Sequence, residues 1–452
     1  MTRISLILLL VVIVEGSFAS ALQGQEPQVR WDSVAYEPFG GAMSRATACT
    51  QTINSLGRAV VGDSQLPSGE FHAFLHDGVS MLDLGTFGGP SSRAESLNLW
   101  GQVVGFADAI SAAGVVQPRA FIWDATTGLV DIGHLGGGRS WATGIDLYGT
   151  GICGTSETAS GDLHAFWRNP LSSTLVDCGT LGGTWSQGLA INGSLVVGKS
   201  GTSQGDTRAF MWESWMGMVD LGTLGGSMSV ASGISINGYI CGWSQNSSGQ
   251  VHPFAWDSTS GMVDCGTLGG TWGFARGVNN VRQVVGSAET ASGDLHAFLW
   301  DADTGVMFDL NDWIHPSLGW ELQEANHITD SGFIAGTGIH RGETRAFLLK
   351  PFRMSTLGSA GNNNTFTALH SEPGETIWFA WSLSRGSFQV PGFPGLELDL
   401  DSPKVVGNAL DTGGSAVLSK WVPLRASGKT VYFQALSPQR YLVSPVFEKY
   451  FW

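Results

Sequence analysis

The decapeptide VDCGTLGGTW stands at residues 176–185 and again, unchanged, at 263–272. Looser copies of its first eight residues begin at Leu82, Val130 and Val219, and a degenerate FDLNDW follows at Phe308. Asp83, Asp131, Asp177, Asp220, Asp264 and Asp309 thereby recur every 43 to 48 residues. A chain with such a period must stack equivalent units, which removes most other architectures at once. Three more motifs keep the same spacing. An apolar-Asn pair, or a close relative, ends one segment at Ile53-Asn54, Leu97-Asn98, Ile145-Asp146, Ile191-Asn192, Ile236-Asn237, Val278-Asn279 and Ile328-Thr329. An apolar run then closes on Gly62, Gly105, Gly154, Gly198, Gly242, Gly286 and Gly336. His/Arg-Ala-Phe comes next, from His72-Ala73-Phe74 to Arg345-Ala346-Phe347, with Pro253 once in place of the alanine.

Each segment is short, rich in Val, Ile, Phe and Trp, bounded by Gly, Ser, Asn or Asp, and free of sustained helical periodicity. The unit is four strands, A to D in chain order, over about 44 residues, the size of a propeller blade. A solenoid has comparable periods, so the ends decide. Trp31–Tyr36, followed by Pro38-Phe39-Gly40-Gly41, reads as a D strand and its turn, whereas the last repeat stops on its C strand at Phe347. A spare D at the start meets a missing D at the end only in a closed circle, which also removes an exposed strand edge. The expected fold is all-β: a seven-bladed β-propeller over 22–350 closed by N-terminal strand exchange, then a linker and a small C-terminal β-sandwich in 351–452. Asp-x-Gly supplies the turn after strand D, and Gly-Gly lets the backbone cross to the next blade at positive φ.

The His/Arg-Ala-Phe and Leu-Gly-Thr-Leu-Gly-Gly elements, over about residues 29–350, resemble the HAF-type extracellular repeat family of exported bacterial proteins. The resemblance implies an exported, propeller-like array and transfers no catalytic residue. Beyond Pro351 the period stops, and β-like runs follow at 376–383, 396–400, 404–409, 416–422 and 430–436, with Pro391, Pro394, Pro403 and Pro423 at edges or turns. There the segments VPGFPGLELDL and SGKTVYFQAL resemble C-terminal modules of large secreted bacterial proteins.

Residues 1–21 carry the marks of a secretory signal peptide: a basic start, an apolar run over Ile4–Val14 and the small-residue site Ala19-Ser20-Ala21. No second stretch approaches the roughly 18 to 20 apolar residues of a membrane span. The chain is expected to be a monomer, secreted or held at the cell envelope, without a transmembrane segment after processing. Its formal charge of -15 and its scattered Lys and Arg argue against a nucleic-acid partner.

A residue repeated in every blade points all ways round a circle, so repetition argues against catalysis. Arginine replaces the histidine at 119, 208 and 345 and serves neither as a metal ligand nor as a base, which leaves this position a cationic strand end. HExxH, paired CxxC, Walker and nucleophile-elbow motifs are all missing from the sequence. No catalytic residue, metal site or cofactor is assigned. Function is then sought where blades depart from consensus. Trp141, Trp185 and Trp272 follow Gly-Gly turns, and Trp243 is placed in a B-to-C connection. In a propeller those loops share one face, where indoles can stack on sugar rings or apolar groups; the competing reading wedges them between blades.

Acids assigned to the B-to-C loops, Glu70, Asp108, Glu157, Asp162, Glu289, Asp294 and Glu343, are what a hydrolase would need. Glu157 and Glu289 sit in the same string, ETASGDLHAF, which marks them as inherited with the blade. His134 stands alone in place of the Thr of Gly-Thr-Leu-Gly-Gly. Cys153 precedes Cys178 and Cys241 precedes Cys265 at matching repeat positions, so two disulfides are weighed against a duplicated pair of blades. A B-to-D bridge must span about 9.5 Å, two interstrand spacings, against a usual Cα reach of about 7 Å. The reading is a secreted non-enzymatic binding or surface protein recognising an extracellular glycan or protein through propeller loops. The alternatives are an extracellular polysaccharide hydrolase or lyase and a purely structural envelope protein.

Overall fold

The structure, a computed structural model, describes residues 31–50, 59–169, 172, 174–314 and 316–351. Further on it describes 353–357, 362–369, 375–390, 397–400, 402–411, 415–421, 426–427, 429–437, 442–444 and 447–451. The segment 1–21, where a signal peptide is expected, and the Ile53-Asn54 pair lie outside the described residues. The described chain is all-β apart from short 3-10 turns, among them Leu310–Trp313 and Pro316–Leu318. None of its helices is long and apolar enough to cross a membrane.

Across 31–351 the strands fall into antiparallel groups of four with one recurring register. In the second repeat, A is Gly88–Leu97, B Val103–Ile110, C Val116–Asp124 and D Gly128–Asp131. Ala94, Gly105, Phe121 and Asp131 stand side by side across those four strands. The same row reads Ala142, Gly154, Phe166, Asp177 in the third repeat and Ala231, Gly242, Phe254, Asp264 in the fifth. Three of the sequence motifs are therefore one transverse line of each sheet.

The row has a packing cause. Every strand A carries a β-bulge just after the Ala or Gly of this row, and the carbonyl of the residue just before that Ala or Gly faces the strand B glycine. A Cβ on Gly105, Gly154 or Gly242 would lie 1.9 to 2.0 Å from that oxygen, so only glycine fits. The adjacent Phe121, Phe166 and Phe254 are completely buried, each contributing roughly 2 to 3 kcal/mol by removal from water. This glycine lies inside strand B, not at its end as expected from the sequence. Strand A is also longer than expected, beginning at the Gly-Gly pair itself. The first glycine of the pair has positive φ, +90° at Gly88 and +98° at Gly182, while a Cβ on Gly89 would strike Asp108.

Cores form between neighbouring groups. Phe121 and Val103 of the second repeat share a cluster with Val61 and Leu75 of the first. The first strand of the last group, Trp320–Ile328, is followed by Ile334–His340 and Glu343–Pro351, and Trp31–Tyr36 is hydrogen-bonded to that last strand in the D place. Tyr36, Phe333 and Ala346 share a core with Ala46, Val60 and Phe74 of the first repeat.

In five of the repeats a serine in strand A fastens the group to the one before it. Ser92 Oγ accepts the amide of Ala73 at 2.9 Å and donates to the Gly85 carbonyl at 2.6 Å. Ser140, Ser186 and Ser229 repeat the bridge to Ala120, Ala165 and Ala209. Ser44 makes it with Ala346 at 3.1 Å, joining the first repeat to the last. A second link runs from strand A to strand A: Thr47 Oγ1 donates to the Ala94 carbonyl and Thr143 Oγ1 to that of Gly188. Asn326 Nδ2 donates to Ala46 in the same register.

The chain divides into two compact units, one of 34–311 and 319–348 and the other holding 349–452 together with 31–33 and 312–318. There Asn363–Leu369 pairs with Arg353–Leu357 and Ser415–Trp421, and Thr376–Ser382 pairs with Lys404–Leu410 and Lys429–Ser437. Phe366, Phe379, Phe433 and Phe451 fill the core these sheets share.

Candidate functional site

The repeated polar residues serve the turns. Asp83 Oδ1 accepts the Gly85 amide at 2.8 Å, and Asp131, Asp177, Asp220 and Asp264 do the same for the glycine two residues on. His72, His164 and His252 direct Nδ1 at the same carboxylates at 2.8 to 3.0 Å, and His296 does so at Asp309. Where arginine replaces histidine it finds other acceptors, Asp206 for Arg208 and the Ala42 carbonyl for Arg345. His134 accepts the Gly136 amide on Nδ1, the task Thr86 Oγ1 performs for Gly88.

Of the acids assigned to loops, Asp108, Glu157 and Glu289 lie on strand B and Glu343 opens a strand C. The B strands run past the glycine into the segment read as loop. The Arg139 side chain and the Gly138 amide hold the Glu157 carboxyl below the usual range. Glu289 is lowered by the Thr271 amide, with the Thr271 and Trp272 side chains helping. Both acids clamp the start of a strand A. Asp162 and Asp294 accept from Ser160 and Ser292 within their own turns. Burial pushes the Asp108 carboxyl up.

The four tryptophans also lie on strands. Trp141, Trp185 and Trp272 are in strands A beginning at Gly136, Gly182 and Gly269, and Trp243 is in the strand B Ile240–Asn246. All four are half-buried. Trp243 and Trp272 belong to the fifth and sixth repeats and flank one ring, Phe274, each with centroids 5.5 Å away. Trp185 instead lies over Gly201 of its own sheet, where a Cβ would fall 2.9 Å from its Nε1. Trp141 pairs across its sheet with Thr155. Among the described residues, no ring contact joins Trp141 or Trp185 to the other two.

Sequence reasoning missed the charged counterpart of that aromatic cluster. Trp243 follows the strand B glycine, and Phe274 occupies the place after the strand A serine in the next repeat. The same two places between the first and second repeats hold Asp63 and Arg93. Arg45, across the sheet from Asp63, directs Nε at its Oδ1 at 3.2 Å and forms an ion pair through Nη2. Arg93 Nε stands 3.9 Å from Asp63 Oδ1 and 3.2 Å from Glu95 Oε1. Asp63 is 1% exposed, whereas the two arginines are 40% and 37% exposed. The available signal was local: Ser44-Arg45 and Ser92-Arg93 depart from the residues that follow this serine elsewhere.

Cys153 and Cys178, and Cys241 and Cys265, are buried free thiols, so the weighed disulfides are not formed in this structure. Cys153 pairs with Trp167 of strand C, and Cys178 follows the strand D residue Asp177 beyond it, so an entire strand separates them. The thiols act as core groups, and burial pushes that of Cys153 up to about 12. Cys49 fills the place of Leu97, with Sγ 3.5 Å from His327 Nδ1. No group of three or more His, Cys, Asp or Glu able to hold a metal ion occurs among the described residues.

No family model matches the chain, and no curated protein does. Among solved structures it is similar to TolB from Acinetobacter baumannii, with 12% identity, TM-score 0.40, and coverage of 55% of this chain and 62% of that one. It is also similar to a putative TolB from Agrobacterium tumefaciens, with 12% identity, TM-score 0.30, and coverage of 68% and 98%. A puromycin-hydrolyzing peptidase of Mycobacterium tuberculosis follows, at 10% identity, TM-score 0.36, and coverage of 78% and 64%. The chain thus spans less than two thirds of the TolB and peptidase chains named first and last, and no activity passes from them to it.

Proposed function

We propose that residues 31–351 form a seven-bladed propeller closed by Trp31–Tyr36, followed by a β-sandwich, in a secreted, non-enzymatic binding protein for an extracellular glycan or protein. Closure is supported by the Ser44–Ala346 and Asn326–Ala46 bonds, which repeat between last and first repeats the links found between consecutive ones. In such a ring the A strands, which bond to each other from repeat to repeat through Thr47, Thr143 and Asn326, line the axis. The HAF-type resemblance agrees with export.

The observation that carries the binding reading is the Trp243–Phe274–Trp272 cluster. Its rings are half-buried and held by strands on both sides, so little side-chain entropy is lost when a sugar face stacks on them. Of the acids a hydrolase would use, Glu157, Asp162, Glu289, Asp294 and Glu343 are already bound to Arg139, Ser160, Thr271, Ser292 and Arg345. The test is a glycan array with the processed chain, residues 22–452, beside an assay of reducing-sugar release. We expect binding without turnover, weakened at least tenfold in Trp272→Ala. Sugar release, or binding indifferent to Trp272, would overturn the reading.

A further inference from the structure

We infer that the junction between the first and second repeats is an oxyanion subsite, in which Arg45 and Arg93 grip a carboxylate or sulfate group on an acidic saccharide. The saccharide part rests on the binding reading above; the anion part rests on this junction alone. The fold itself does not require charge there, since the equivalent places hold Thr155 and Gln187 between the third and fourth repeats and Trp243 and Phe274 between the fifth and sixth.

The cluster is built but unfinished. Asp63, buried, takes Nε and Nη2 of Arg45, which leaves Nη1 without a hydrogen bond to any described residue. The Arg45 guanidinium is further fixed over the Phe71 ring at 4.7 Å. Arg93 is less satisfied still. Its buried Nε finds no acceptor in hydrogen-bond geometry despite the nearby Asp63 and Glu95, and neither Nη bonds to a described residue. Burial pushes the Glu95 carboxyl up, with Arg93 opposing the shift. Two arginine side chains more than a third exposed, both facing the buried Asp63 carboxylate and Arg93 also facing Glu95, thus keep donors that no described residue accepts. Paired N–H donors match a planar carboxylate or a sulfate edge, and the partly desolvated surroundings strengthen such a bond. A lysine would supply charge without the fork.

The experiment is calorimetric titration of the processed chain with three probes: oligogalacturonate for carboxylate, a sulfated galactan oligosaccharide for sulfate, and a neutral cello-oligosaccharide. We expect at least one anionic probe to bind, with affinity falling at least tenfold in Arg93→Gln, less in Arg93→Lys, and falling with added salt. The neutral probe should respond to Trp272→Ala and not to either Arg93 variant. Thermal unfolding checks that Arg93→Gln is folded; if it is not, Arg93→Lys carries the comparison. Anionic binding unchanged in both Arg93 variants, or no anionic binding at all, overturns the subsite. Trp272-dependent neutral binding alongside that outcome would leave the binding reading standing.

Discussion

The junctions between the first and second repeats and between the fifth and sixth are built on the same backbone and filled with opposite chemistry. Gly62 and Gly242 sit under equivalent strand A carbonyls, each 1.9 Å from where a Cβ would be. The residues that follow them are Asp63 and Trp243, and their neighbours across the junction are Arg93 and Phe274. Backbone shape is thus set by the glycine, serine and phenylalanine positions, while two side-chain places per junction stay free to vary. Recognition chemistry can be changed at those places without disturbing the register.

The sharpest way to break the comparison is to empty one place in each junction. Asp63→Ala leaves two guanidiniums with no buried counter-charge; removing one partner of a buried pair costs about 3 to 5 kcal/mol, and arginine exposure brings the expectation to about 3 to 4. Trp243→Ala removes a half-buried ring, at about 3 kcal/mol. The two losses should differ in kind. In urea unfolding at low and high salt, the Asp63→Ala loss should change with ionic strength and the Trp243→Ala loss should not. Equal salt response would mean that the charged junction is held by packing alone.

A third junction, between last and first repeats, adds a titrating group to the contrast. Burial lowers the His327 imidazole to about 4, with Asp330 opposing the shift. The unfolded chain therefore binds a proton near pH 6.5 that the folded chain refuses until about 4. The stabilisation is complete above pH 6.5 and is lost as pH falls through that window, by about 3 kcal/mol. Unfolding measured from pH 8 to 4 should show this slope, and His327→Asn should flatten it. An unchanged slope in the variant would assign the acid sensitivity to other groups.

How much of this was legible follows from what forces each residue. Gly105, Phe121 and Asp131 repeat because bulge, core and turn demand those side chains in every repeat, so the period exposed them. Strand ends were less secure. Ile236-Asn237 looks like the strand A ending, yet the register gives that place to Ile234-Ser235, and Asn237 belongs to the following turn, where its amide donates to Asn280. In the first repeat Cys49-Thr50 takes it. Trp141, Trp185 and Trp272 read as loop residues because Gly-Gly resembles a turn, although it is already strand, and Trp243 does so because strand B reads as closing on Gly242 but continues to Asn246. Asp63 and Arg93 meet only across two sheets, and no single-repeat pattern links them.

The smallest effect asks whether the aromatic junction was rebuilt as a unit. Between the fifth and sixth repeats the serine is Gly273 and the alanine is Pro253, so the hydroxyl and the amide it would accept are missing together. Pro253 fills the space: a Cβ on Gly273 would lie 3.0 Å from its Cγ and 3.1 Å from Ala288 Cβ. Gly273→Ser alone should therefore destabilise by crowding, and Pro253→Ala alone by exposing an amide with no acceptor, each by about 1 to 2 kcal/mol. Made together, they recreate the bridge that Ser229 forms with Ala209, and stability should return to within about 0.5 kcal/mol of the parent, a coupling of at least about 1 kcal/mol. Additive losses in the double variant would mean that the two changes arose independently and that the Trp243–Phe274 packing, not the missing bridge, defines this junction.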